Sequence, residues 1–125
     1  MNSKLVKTMV EMDELSLFYL VNLSPEDAIG FAAKRTVRYG NLSSLLARIN
    51  QAIPQTGDGK MWHTFWIGRE YSRVVYVEMI ETRAPLSINP AKYIQYISDI
   101  AREYEVDEIS VEHESLTWKI RLCWT

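Results

Sequence analysis

Cysteine is almost missing from this chain: Cys123 stands alone among 125 residues. No intrachain disulfide can form, and a reducing, cytosolic setting is the simplest reading. Histidine is nearly as scarce, with only His63 and His113. Their neighbours show no metal-ligand spacing, and each reads as a packed strand histidine. A nucleophilic Cys123 would need a base or a helix N-terminus beside it, and nothing nearby in sequence supplies one. The expectation is therefore no enzyme activity, no metal and no cofactor. Glycine (5) and proline (4) are too few for a collagen-like or low-complexity chain. No long apolar run occurs either. The uncharged stretch Leu15 to Ser24 is far short of a bilayer span and is misplaced for a signal peptide.

What is present is an ordinary globular balance, 47% hydrophobic and 24% charged. That suits one hydrophobic core and a single domain over residues 1–125. Two Asn-Leu-Ser triplets, at Asn22 and Asn41, match the glycosylation pattern. Both sit where a helix should begin, and capping explains them better.

The chain's punctuation predicts three helices. Ser24-Pro25-Glu26-Asp27 combines an N-cap, a proline at the first helical position and two carboxylates at the positive end of the helix dipole. This helix should run to about Arg38, with Gly40 as its stop. Asn41 starts the next, with Leu42, Leu45, Leu46, Ile49, Ala52 and Ile53 on one stripe and Pro54 at its end. Asn89-Pro90 opens the third, to about residue 104, with Tyr93, Ile94, Ile97, Ile100, Ala101 and Tyr104 on its apolar face.

Strands are predicted around them. Met61 to Ile67 and Tyr71 to Glu81 are rich in aromatic and β-branched residues and read as a hairpin. A tight turn would set Arg73 opposite Trp66 and Val77 opposite Trp62. Gly57-Asp58-Gly59-Lys60, before that hairpin, lacks a phosphate loop's spacing and reads as a turn. Residues 108–114 and 116–124 alternate as a second hairpin, with Leu116, Trp118, Ile120, Leu122 and Trp124 inward and Cys123 on the polar side. A turn at Glu114-Ser115 would pair Val111 with Trp118 and Glu108 with Arg121. Leu15 to Leu23 reads as a strand, and residues 4–11 as either its hairpin partner or a helix. The expected fold is α+β: an antiparallel sheet of about four to six strands packed against three helices, in the order ββ-αα-ββ-α-ββ.

Charge is unevenly distributed although the net value is only −2. Residues 28–56 carry Lys34, Arg35, Arg38 and Arg48 and no acid. Residues 99–114 carry seven acids against Arg102 alone. With the aromatic hairpin, this suggests three functions. The leading one is a non-enzymatic protein-interaction module, of inhibitor, immunity or adaptor type. It would use Trp62, Trp66, Arg73, Glu108, Glu112 and Glu114 against a larger macromolecule. The alternative is a nucleic-acid-binding regulator using Lys34, Arg35, Arg38 and Arg48. With residues 4–20 helical, the element order resembles a winged helix-turn-helix domain. With residues 15–23 a strand, residues 15–53 resemble a ribbon-helix-helix unit, and the two exclude each other. A third reading is a small-ligand binder or enzyme with a pocket lined by Tyr93, Tyr96, His113 and Trp118. A membrane partner is not expected. Homodimerisation is compatible with the opposed charged segments.

Overall fold

The computed structural model describes residues 20–34, 42–53, 61–68, 73–81 and 90–124. Within them the order is β1 (Val21–Leu23), α1 (Pro25–Ala33), α2 (Leu42–Ala52), β2 (Met61–Ile67), β3 (Val74–Glu81), α3 (Pro90–Glu103), β4 (Glu108–Glu114) and β5 (Thr117–Cys123). The class is α+β, as expected. The five strands form one antiparallel sheet in the order β1-β2-β3-β5-β4. An additional strand or helix before residue 20, the caps Asn41 and Asn89, and the 57–60 turn lie outside the described residues.

The start of α1 follows its capping chemistry. The Asp27 amide donates to Ser24 Oγ at 3.3 Å, and the Ala28 amide to the Ser24 carbonyl at 2.8 Å. Pro25 occupies the first turn, where its missing N–H costs nothing. The described helix ends at Ala33, with Lys34 as its C-cap, short of the expected Arg38. Residues 35–41 lie outside the described part. Asn22, within the first glycosylation-like triplet, donates from Nδ2 to Thr64 Oγ1 across the β1–β2 pair at 2.9 Å.

All three helices contribute to a single core against one sheet face. Ala28 and Ala32 of α1, Leu42, Leu45, Leu46 and Ile49 of α2, and Ile97 and Ala101 of α3 share it with Phe65, Ile67, Val75, Val77, Met79, Ile120 and Leu122. Complete burial of a Leu, Ile or Phe side chain contributes about 1.5–3 kcal/mol. The opposite face holds a smaller cluster of Leu20, Val74, Tyr76 and Cys123, with Trp66 packed against it. Cys123 is thus buried rather than on a polar surface, because this second face has apolar content of its own.

Both hairpin registers differ from expectation. In the first, Trp66 lies opposite Tyr76 and Trp62 opposite Ile80. Arg73 precedes the ladder, and its carbonyl accepts from the Trp124 amide at 2.9 Å. The pairing is shifted by three residues from that of a tight turn. An odd shift exchanges faces, so β3 packs Val75, Val77 and Met79 toward the helices. In the second, the turn is Ser115-Leu116, giving Val111 opposite Ile120 and His113 opposite Trp118. The shift is two residues, so the faces survive. Leu116 moves from the strand into the turn and is exposed. Ser115 takes a positive φ of 56°, and the His113 and Trp118 rings stack at 4.1 Å in near-parallel planes. Glu108 still reaches Arg121, now diagonally, at 3.6 Å.

The C-terminus of α3 closes with a Schellman motif. The Val106 amide donates to the Ala101 carbonyl and the Glu105 amide to the Arg102 carbonyl, both at 3.2 Å. Val106 and Ala101 both join the core. Glu105 holds the left-handed position at φ 62°, where a side chain is strained and glycine is not. We expect Glu105→Gly to raise unfolding stability by about 1 kcal/mol in urea titrations. Ile97→Ala, which empties a fully buried site, should cost about 2–5 kcal/mol by the same measurement.

Candidate functional site

The sheet face turned away from the helices gathers most of the residues singled out for partner binding. Register places Ser110, Arg121, Tyr76, Trp66 and Asn22 in one row across the strands. The next row is Glu112, Lys119, Glu78 and Thr64. A third is Glu114, Thr117, Ile80 and Trp62, the last by its backbone position. The Trp62 side chain lies outside the described part. Trp66 and the glutamates of β4 therefore share one surface but occupy opposite sides of it, with β3 and β5 between.

Trp66 is already engaged within the chain. Its indole Nε1 donates to Glu78 Oε2 at 2.8 Å. Lys119 Nζ lies 5.7 Å from the Trp66 ring centroid and 5.8 Å from that of Tyr76. Sequence reading paired this tryptophan with Arg73, but the cation over it comes from β5. The signal was unreadable without the β3–β5 register, which joins segments far apart in the chain.

Strand β4 has a different character. Its one strand neighbour among the described residues is β5, which places it at the edge of the described sheet. Every β4 residue except Ile109 is exposed. On the face away from the helices it carries Glu108, Ser110, Glu112 and Glu114. On the helix side, Ile109 packs against the core, but the cover stops there. Val111 is 42% exposed and Leu116, in the adjoining turn, 45%. His113 is exposed beside Trp118, and its Nε2 donates to the Ser115 carbonyl at 2.7 Å. One edge thus presents carboxylates on one side and an apolar, aromatic strip on the other.

Of the basic candidates, Lys34 and Arg48 lie among the described residues. Lys34 is exposed at the end of α1. Arg35 and Arg38 lie outside the described residues. Arg48 forms an ion pair with Glu103 across the α2–α3 interface, and its Cζ lies 5.7 Å from the Tyr104 ring centroid. Tyr104 in turn shares a 2.7 Å hydroxyl hydrogen bond with Ser44. Hydrogen bonding to Arg48 holds the Glu103 carboxyl below the usual carboxylate range, and the same bond raises Arg48. A phosphate group binding this arginine would compete with Glu103 for its charge. Sequence reading missed the cluster because its members come from segments more than fifty residues apart.

The residues expected to line a ligand pocket are spread apart in role. Tyr96 is exposed on α3, near Lys92 Nζ and edge-on to Tyr93. His113 and Trp118 are stacked on each other at the hairpin. No group of three or more His, Cys, Asp or Glu residues suited to a metal ion occurs among the described residues. None of the described helices is long and apolar enough to cross a membrane.

Among the described residues His63 is the one deeply buried polar side chain, at 4% exposure on the helix-facing side of β2. It meets Phe65 edge to face, and neither ring nitrogen has a hydrogen-bond partner. Burial pushes its pKa down to about 4 from 6.5. Neither family models, curated proteins nor solved structures yield a match to this chain.

The His63 shift has a definite sign. Between pH about 6.5 and 4 the unfolded chain binds a proton that the folded chain refuses. The associated stability is complete above that window and is lost as pH falls through it, on the order of 3 kcal/mol in all. Urea titrations at stepped pH should show this decline, and His63→Leu should flatten it. An unchanged acid limb in the variant would refute the assignment.

Proposed function

We propose that this protein is an interaction module that acts by binding another protein, through the β4–β5 hairpin, without chemistry of its own. The observation that carries the reading is the edge strand β4, exposed along nearly its whole length and unlike on its two sides. Edge strands usually avoid self-association by shortness, burial or charge. Charge alone would suffice for solubility here. The exposed Val111 and Leu116 and the surface-facing His113–Trp118 stack add the apolar and aromatic anchors that protein interfaces favour. An inhibitor or adaptor needs a rigid surface of this kind and no catalytic group. The acidic side would steer a partner with a basic surface. Nucleic-acid binding is the weaker reading, because Arg48 is committed to Glu103 and Tyr104.

The test is photo-crosslinking in cells of the native host, with benzoylphenylalanine placed at Val111 or Leu116, or on exposed helix positions Gln51 or Lys34. Discrete protein adducts should arise from the hairpin sites and not from Gln51. Nucleic-acid adducts at Lys34, with none at the hairpin, would reverse the choice. Reversing Glu108, Glu112 and Glu114 to Lys should weaken the captured partner at least about tenfold. Binding to random DNA or RNA should be weak even at about 50 mM salt, where phosphate-driven association is strongest.

A further inference from the structure

We infer that the partner binds by adding a strand to the edge of β4 that no described strand pairs, using an extended segment that alternates basic and apolar residues. The inference rests on the interaction-module reading and names its mode. An antiparallel or parallel strand laid beside β4 would hydrogen-bond to the backbone groups that point away from β5. Its side chains would then fall alternately on the two sheet faces. On one face they would meet Glu108, Ser110, Glu112 and Glu114. On the other they would meet Ile109, Val111 and His113, beside the Trp118 ring. Opposite charges directly across a strand pair are favourable, and apolar pairs likewise. The incoming segment is therefore specified at every second position, basic against the glutamates and apolar against Val111.

The same alternation argues against a second copy of this chain as the occupant. If two β4 strands paired antiparallel with their faces aligned, even-numbered positions would oppose even-numbered positions. Centred on Val111, Glu108 would face Glu114 of the other copy, and Ser110 would face Glu112. Like charges across a strand pair are destabilising. Arg121 lies near enough to offset Glu108, and Lys119 is in register with Glu112. Glu114 has Thr117 opposite it, and no cation, in the β4–β5 register. A basic residue on an added strand would supply that cation from outside.

The test uses an acetylated and amidated octapeptide of alternating Lys or Arg and Val or Ile, with the intact protein. Amide chemical shifts and hydrogen exchange are followed residue by residue. The expected result is saturable binding, with shifts centred on residues 108–114 and slowed exchange of alternate β4 amides. N-methylation of alternate peptide residues, which removes the strand's donors, should weaken binding at least about tenfold. Replacing Glu108, Glu112 and Glu114 by Gln should also weaken it, with folding checked by the unperturbed core amides. An acidic peptide of the same alternation should not bind. No binding, indifference to N-methylation, or shifts away from β4 would overturn strand addition. Slowed, concentration-dependent exchange of β4 without peptide would also overturn it, since a second copy would already hold the edge. In those cases hairpin-specific crosslinks to a protein would still uphold the module reading, and their absence would remove both.

Discussion

The pairing of β3 with β5 joins two half-structures into one sheet. On one side lie β1, β2 and β3 with α1 and α2; on the other lie α3, β4 and β5. Helices from both halves cover the same sheet face. Val77 opposite Ile120 and Met79 opposite Trp118 close the seam on the helix side. Above it, Ile97 and Ala101 of α3 join the core of α2. Two hydrogen bonds from Trp124 fasten the end of the seam, one to the Arg73 carbonyl and one from its indole to the Tyr104 carbonyl at 3.0 Å. The placement of the acidic edge follows from this. Because β5 takes the inner position beside β3, β4 is left outermost.

Polar groups are treated unequally across the two sheet faces. On the open face, Glu112, Lys119 and Glu78 alternate in sign across the strands and Arg121 reaches Glu108 diagonally, where solvent makes such a charge pair a small contribution. On the covered face, His63 is neutral and lacks partners for its nitrogens. A buried imidazole without hydrogen bonds is a cost at any pH, and a larger one when acid would charge it. The structure tolerates it beside a core of aliphatic and aromatic side chains.

Much of the fold was legible because local chemistry and periodicity coincided. Ser24-Pro25 marks one helix start, and the Leu42 to Ile53 stripe and the Tyr93 to Tyr104 stripe fix the inward faces of two helices. Alternation assigned the faces of β4 and β5 even though the turn was misplaced, because a two-residue slip leaves alternation intact. The first hairpin fared worse, since both faces of β2 are apolar and alternation could not select a register. The surface was legible in part. Glu108, Glu112 and Glu114 were recognisable as one exposed row from spacing alone. That Arg48 is absorbed by Glu103, or that Lys119 lies over Trp66, depends on long-range pairings with no local sequence mark. Nor could spacing show that β4 is outermost, because strand order is a property of the assembled sheet.

The strand order also governs how the chain reaches this state. β5 follows β4 in sequence yet is inserted between β4 and β3. Until it is made and threaded into place, the edge of β3 is open, and that edge belongs to Val74-Val75-Tyr76-Val77. Such an apolar strand without a neighbour is a template for wrong pairings. Contacts between distant segments also form slowly, since loop closure precedes their reward. The β4–β5 hairpin closes over only Ser115 and Leu116, so it can form locally and dock as a unit, delivering β5 to that apolar edge with the glutamates of β4 on the outer strand.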